Sequence, residues 1–378
     1  MAKSNPQVDV LVLGGHPSAY LAAALLKDKT KFAVMHSCIP GEPSGERLVL
    51  MNPALFDLHP MLSGLKRKIE AAGIYGIRFL ADDPATASEY RSKSAVTCVA
   101  QLKDVRAAMI DLAKVQGVQL CNPKILQIHR LDESGLDATV GKEMVRARAL
   151  VLAGDLGEQQ HKLLGLPEEW EHGVVHRYTF VKLKGTKMAD LGGRPLMPMS
   201  LDLKGLLTWA WLIPGPKHMQ MAVEQPLDTV AANPPITLLR HWAGVLSAHG
   251  VFKAPLEIEQ EEMEMMDLPF GGALAHEGVA NRTLLIGPVG GFYSATGEDV
   301  YPGCWSAIHA AEVLKKAMKE QFLQDAIQAY RQKWRTTLGD YLRGPQQNLR
   351  FLLPLVYRNQ VMTNRLAEAI LIGKSVVR

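Results

Sequence analysis

Leu11 to Leu26 reads L-V-L-G-G-H-P-S-A-Y-L-A-A-A-L-L. It begins inside a short apolar run, Val8 to Leu13, of the kind that forms a strand buried on both faces. Two glycines break the run. Ser18 to Leu26 then follows as an alanine-rich helix with Pro17 near its start. Lys31 to Met35 supplies a second apolar strand. Strand, glycine turn, helix and strand in this order open a doubly wound α/β sheet.

The turn carries the chemistry. In a G-x-G-x-x-G turn one glycine allows the tight bend, one lets the backbone approach a pyrophosphate, and one lets helix and strand pack closely. The helix amides and positive dipole end then face the phosphates. Here the turn is Gly14-Gly15-His16-Pro17-Ser18-Ala19. Gly14 is kept, Ala19 is an accepted replacement for the third glycine, and His16 stands where backbone meets phosphate. An imidazole there either donates to a phosphate oxygen or blocks the site. Where an acid would hold a ribose hydroxyl, the chain has His36, with no Asp or Glu nearby before Glu42. The alternative is a doubly wound fold that keeps the turn but no longer binds a nucleotide.

Outward from this unit, Ala149 to Ala153 and Thr283 to Ile286 are further apolar strands that end at glycines. Lys103 to Gln116 has the spacing of an amphipathic helix stopped by Gly117. Val118 to Leu120, Ile125 to His129 and Ala138 to Val140 read as short strands. Pro40 to Pro53 reads as loop, Pro60 to Gly73 as helical, and Gly76 to Ser94 shows no clear pattern. Val174 to Lys184, Thr208 to Ile213 and Met219 to Val223 suggest a hairpin-rich sheet. Ile236 to His249 reads as a helix. A long helix from Gly303 to Lys319 and two or three more close the chain. The expectation is a discontinuous doubly wound domain (1–165 and 280–335), an inserted mixed β-sheet domain (166–279) and a C-terminal helical segment (336–378).

The chain has 378 residues, 47% hydrophobic and 21% charged, which excludes a disordered, collagenous or small disulfide-stapled protein. Cys38, Cys98, Cys121 and Cys304 are scattered, so a reducing compartment, the cytoplasm, is the simplest expectation. No signal peptide and no bilayer-spanning run are read. Net charge is +4, too weak to imply nucleic acid. It is unevenly spread. Residues 315–378 hold 12 Lys/Arg against 4 Asp/Glu, and residues 1–314 hold 30 against 34. That basic, partly apolar tail is a capping helix pair, a helical lid over a lipid-binding cavity, or a peripheral contact with an anionic membrane surface.

Four further stretches complete a pattern with Gly14–Ala19. Val99 to Gly117 reads V-A-Q-L-K-D-V-R-A-A-M-I-D-L-A-K-V-Q-G, and Leu150 to Pro167 reads L-V-L-A-G-D-L-G-E-Q-Q-H-K-L-L-G-L-P. Thr208 to Pro214 reads T-W-A-W-L-I-P. Leu284 to Glu312 reads L-L-I-G-P-V-G-G-F-Y-S-A-T-G-E-D-V-Y-P-G-C-W-S-A-I-H-A-A-E. In this order the five segments are similar to FAD-dependent oxidoreductases of the para-hydroxybenzoate hydroxylase type, and within that group the chain most resembles the geranylgeranyl reductase family. The resemblance spans nearly the whole chain. It implies an FAD/NAD(P)-binding Rossmann-like domain, FAD as cofactor and NAD(P)H as a candidate electron donor.

The resemblance also implies roles. Gly14, Gly15, His16, Ala19 and His36 fall at the dinucleotide turn, and Lys103 falls where an arginine reaches the FAD phosphates. Gly287 and Pro288, then Gly297, Glu298, Asp299 and Val300, fall at the ribityl and isoalloxazine contacts. Trp209, Trp211 and Tyr293 fall at the substrate cavity. Five of these positions depart from the family pattern: His16, His36, Lys103, Pro288 and Asp299. Lysine lacks a bidentate fork, and a carboxylate at Asp299 opposes the charge of a reduced flavin. Gly154 and Asp155 are transposed relative to the pattern.

Other chemistries find no anchor. His172 and His176 share helical spacing, but Gly173, Val174 and Val175 disfavour a helix, so no metal site is expected. No G-x-S-x-G elbow occurs, and no catalytic acid or base is assigned. The expected function is an FAD-dependent reductase or monooxygenase acting on a small apolar substrate, isoprenoid or aromatic. The alternative is a degenerate flavoprotein fold that has lost FAD and binds a lipid or a partner.

Overall fold

The computed structural model describes residues 7–42, 46–166, 175–183, 194–253, 256–259, 263–269, 279, 281–294, 296–342 and 349–374. Of the positions singled out above, Pro167, His172, Gly173, Val174 and Lys184 lie outside them.

The chain opens with β1 (Gln7–Leu13), α1 (Pro17–Lys27) and β2 (Val34–Ser37). Next come β3 (Leu48–Met51), α2 (Pro60–Ser63), β4 (Ala71–Ile74), β5 (Gly76–Leu80), β6 (Ala87–Arg91), β7 (Thr97–Gln101) and α3 (Leu102–Val115). β8 (Gln119–Cys121), β9 (Leu126–Asp132), β10 (Gly135–Val140), β11 (Glu143–Leu152) and α4 (Glu158–Leu164) follow. The middle holds β12 (Val175–Leu183), β13 (Met197–Leu203), β14 (Leu206–Pro214), β15 (Met219–Pro226), α5 (Pro235–Ala248), β16 (Met263–Pro269) and β17 (Thr283–Leu285). The end is helical: α6 (Val300–Ala317), α7 (Leu323–Ile327), α8 (Ala329–Leu342), α9 (Leu349–Val356) and α10 (Gln360–Ile372).

The first sheet runs β8-β2-β1-β11-β10-β9. β8, β2, β1 and β11 are mutually parallel; the last turn of β11 also pairs with β17 in parallel, while its first half pairs antiparallel with β10. This is the doubly wound arrangement that the apolar runs imply. α1 lies between this sheet and α6. Ala19, Ala22, Ala23 and Ala24 on one helix and Ala307, Ala310, Ala311 and Ala317 on the other are all buried in one core. Side chains this small let the helices approach closely, which buries α1 from Pro17 to Leu26.

The second sheet runs β16-β12-β15-β14-β13-β5-β6, antiparallel except where β13 meets β5. It therefore takes two strands from residues 76–91, which sequence patterning groups with the first domain. A third sheet, β3-β7-β4, bridges the two. Gln220 of β15 clamps it, because its side-chain oxygen accepts from the Leu48 N–H at 2.7 Å and its amide donates to the Leu48 carbonyl at 3.2 Å.

Several local expectations are corrected. The second strand is Val34–Ser37, three residues beyond the expected start, because Val34 to Ser37 register with Val10 to Leu13. Leu48–Met51, expected as loop, is a strand because β7 supplies its antiparallel partner. The helical reading of Pro60 to Gly73 survives only to Ser63; a 3-10 turn and β4 replace the rest. α6 starts at Val300, since the Gly303 N–H already bonds the Asp299 carbonyl at 2.9 Å. Among the described residues four helices follow it, not two or three. α10 is a cap: Leu366, Ala367, Ile370 and Leu371 are buried in the core of the second sheet. Among the described residues no helix is long and apolar enough to cross a membrane, and the four cysteines are unpaired.

Gly14 has φ +124°, and a Cβ there would stand 2.8 Å from the Ala153 carbonyl carbon. Gly14→Ala is expected to lower stability by about 1–3 kcal/mol through backbone strain and this clash. A urea midpoint unchanged from wild type would refute that reading of the turn.

Candidate functional site

The β1–α1 turn, the end of β17 and the first turn of α6 converge on one groove. Its walls are glycines, and each glycine faces a side chain of the same protein. At Gly15 the position a Cβ would take lies 2.7 Å from Glu42 Oε2. At Gly287 it lies 3.1 Å from His16 Nδ1, and at Gly303 it lies 2.9 Å from His16 Cε1. At Gly297, before α6, it lies 3.0 Å from the ring of Tyr178.

His16 caps α1. Its Nδ1 accepts from the Ser18 N–H at 3.2 Å and bonds the Ser18 hydroxyl at 2.7 Å. Its Nε2 points to Asp299 Oδ2 at 3.7 Å. The ring is 8% exposed, so it is a wedge between Gly287 and Gly303.

His36 does not face a ribose. It is fully buried, stacks on Tyr20 at 4.1 Å and bonds the Gly14 carbonyl through Nε2 at 2.8 Å. Burial pushes its imidazole down to about 4, against the upward pull of that bond. At neutral pH it is uncharged, donates from Nε2 and locks the turn. The acid that reaches the turn is Glu42, from the loop after β2. Its carboxylate accepts from the Ile39 N–H at 3.4 Å and lies against Gly15, with the Arg106 guanidinium on the same side of that glycine. Burial raises its carboxyl while those donors pull it down.

Lys103 is also displaced from its expected role. It is half exposed and pairs with Glu46 at 3.7 Å. Arg106, one turn further along α3, faces Gly15 instead. Ala19 and Val300 are fully buried in the core, and Pro288 is half-buried at the start of a 3-10 turn.

The strongest electrostatic feature is at the start of α6. Asp299 is fully buried, and Arg47, 9% exposed, donates to its Oδ2. Burial would raise the Asp299 carboxyl, but the Arg47 guanidinium and His16 hold it well below the usual carboxylate range. The guanidinium also sits 5.7 Å above the Phe180 ring. The neighbouring carboxyl behaves oppositely. Glu298 accepts from the Asn52 N–H at 2.7 Å and from the Tyr341 hydroxyl, and burial pushes it up to about 7.

Trp209, Trp211 and Tyr293 are brought together as expected, but as packed core. Tyr178 meets Tyr293 edge-on at 5.5 Å and Trp211 at 6.2 Å, and the Tyr293 hydroxyl donates to the Leu268 carbonyl at 3.0 Å. Behind them, buried Glu224 pairs with His176. Arg47, Arg106 and Tyr178 escape the sequence reading, and Glu42 is met there without a role. Glu42, as the first acid after β2, was the one with a visible signal. Among the described residues no group of side chains could hold a metal.

A dinucleotide must pass its dianionic diphosphate along the turn amides. In this arrangement the Glu42 carboxylate lies against Gly15, His16 fills the space between Gly287 and Gly303, and Tyr178 covers Gly297. These residues do not fit a resident FAD.

No family model and no curated protein sequence matches the chain. Solved structures do. A geranylgeranyl bacteriochlorophyll reductase-like protein from Thermoplasma acidophilum superposes with a TM-score of 0.71 at 15% identity, over 97% of this chain and 96% of that one. PqsL, a probable FAD-dependent monooxygenase from Pseudomonas aeruginosa, gives 0.63 at 14% identity over 94% and 98%. A flavin-dependent brominase gives 0.62 at 15% identity over 95% and 89%. The chain thus has the fold of flavin-dependent reductases, monooxygenases and halogenases, as the doubly wound reading and the family resemblance imply.

Two predictions follow from the charges at α6. Arg47→Met strands a buried carboxylate and is expected to cost about 3–5 kcal/mol, whereas Arg47→Met with Asp299→Ala recovers much of it. Equal losses in the two proteins would show that the pair is not coupled. Glu298 has a raised folded pKa, so its contribution is complete below about 4.5 and is lost as pH rises through about 7. Roughly 3 kcal/mol is at stake at 1.36 kcal/mol per pKa unit. Glu298→Gln keeps the Asn52 bond through its oxygen and reverses the Tyr341 bond, its amide donating to the phenol oxygen, and is expected to flatten the fall in urea midpoint between pH 5 and 7; an unaltered slope counts against it.

Proposed function

We propose that the chain is a flavin-dependent oxidoreductase acting on an apolar substrate. The observation that carries this reading is the shared architecture. One end-to-end fold matches flavin-dependent reductases and monooxygenases, and the β1–α1 turn and the α6 start sit on the same groove. Flavin supplies hydride or oxygen chemistry when bound, and the protein supplies position and water exclusion. The aromatic group Tyr178, Trp211 and Tyr293 lies beside Gly297 and is the apolar surface a substrate would meet once that group opens. NAD(P)H is the candidate electron donor.

A second reading is favoured by the filled groove: a flavoprotein fold that has lost FAD and binds a lipid surface or a partner. The basic tail is its candidate surface. At the corner between α9 and α10, Leu355 (45% exposed) and Val361 (58% exposed) stand beside exposed Arg358 and Arg365. Such a corner suits anionic headgroups.

The absorption spectrum of the purified chain, before and after incubation with excess FAD, separates the readings. Bound-flavin bands after incubation are expected on the first. A protein that stays colourless and co-sediments with phosphatidylserine vesicles sinks the first and supports the second.

A further inference from the structure

The groove holds a ligand of its own. A helix N-terminus with free amides and an arginine is an anion site. At the β1–α1 turn those groups already have an anion. Glu42 arrives from the loop after β2; its carboxylate accepts from the Ile39 N–H and lies against Gly15, where Arg106 also points. It also abuts the space beside Gly154, at the end of β11. The next span of the groove, between Gly287 and Gly303, is filled by the imidazole of His16. That ring is held from both sides, by Ser18 at Nδ1 and by Asp299 beyond Nε2.

Neither filling is accidental packing of apolar side chains. A carboxylate sits on phosphate donors, and a ring rotatable about two bonds sits on glycines that leave space for it. We propose that Glu42 and His16 are tethered competitors for the dinucleotide groove, so that FAD is an exchangeable ligand and not a resident group. This rests on the flavin-dependent reading above.

The physical basis is effective concentration. A carboxylate held against the turn by the fold of its own chain competes as an intramolecular ligand at millimolar strength or above. An incoming diphosphate must displace it, and must also swing His16 away from Ser18 and Asp299. Affinity is then lowered by the combined preference of the chain for its own groups. Removing either competitor raises it, without adding any contact to the ligand.

FAD fluorescence titrations of the full-length chain test this, with ADP titrated by calorimetry as a probe that carries the diphosphate but no flavin. The proteins are wild type, Glu42→Ala, Glu42→Gln and His16→Gly. Wild type is expected to purify without flavin. Glu42→Ala and Glu42→Gln are each expected to bind FAD and ADP about tenfold more tightly, as loss of a tethered competitor implies. His16→Gly is expected to tighten FAD binding. The Glu42 variants lie in a partly exposed loop and keep the test alive if His16→Gly does not fold. Wild type that copurifies with stoichiometric FAD overturns the proposal and leaves the flavin-dependent reading standing. Folded variants that bind neither FAD nor ADP overturn both. ADP binding without FAD binding overturns the proposal together with the flavin reading, since the groove is then an anion site that FAD does not enter.

Discussion

Asp299 is a fully buried carboxylate in the first turn of α6, and burying it without a partner would cost several kcal/mol. Arg47 removes that cost, and the residues around the pair are placed by it. Arg47 immediately precedes β3, so the ion pair pins the third sheet to the start of α6. His16 reaches the same carboxylate from the β1–α1 turn. One residue earlier, Glu298 holds Asn52 after β3 and Tyr341 of α8. The helix dipole favours a negative charge at this end. Two adjacent carboxyls thus fasten the first sheet, the third sheet and the C-terminal helices to one helix terminus.

The same bracket closes the groove. A carboxylate of the chain itself, Glu42, lies against Gly15, His16 takes the Ser18 N–H, and the spaces that glycines leave open are filled by His16 and Tyr178. Internal partners stabilise the ligand-free fold and oppose an anionic ligand by the same interactions. Under the proposal that Glu42 and His16 compete with a dinucleotide, stability and affinity are coupled at these two residues with opposite signs.

The legible part of the fold is the part governed by local pattern. β1, β11 and β17 are apolar runs that end at glycines, and α1 and α3 follow from alanine content and helical spacing. β3 and β4 were not legible, because four-residue strands exist only when β7 pairs with both. At the site, the sequence singled out His16, His36, Lys103, Pro288 and Asp299 as unusual. His36 proved to be a lock on the Gly14 carbonyl, and Lys103 gave way to Arg106, because the phase of α3 decides which basic residue faces the turn. Arg47 was not visible at all, since its partner is 252 residues away.

The sequence by itself determined the doubly wound core and the places where the dinucleotide motif departs from its pattern. These are set by hydrophobic period and by glycines whose backbone admits no other residue, both of which act within a few residues of chain. Tertiary structure alone decided what the departures do. Whether His16 meets a phosphate or fills its place depends on Gly287, Gly303 and Asp299, and whether Asp299 is tolerable depends on Arg47. Those are contacts between segments hundreds of residues apart, and burial turns them from weak surface charges into the interactions that shape the groove.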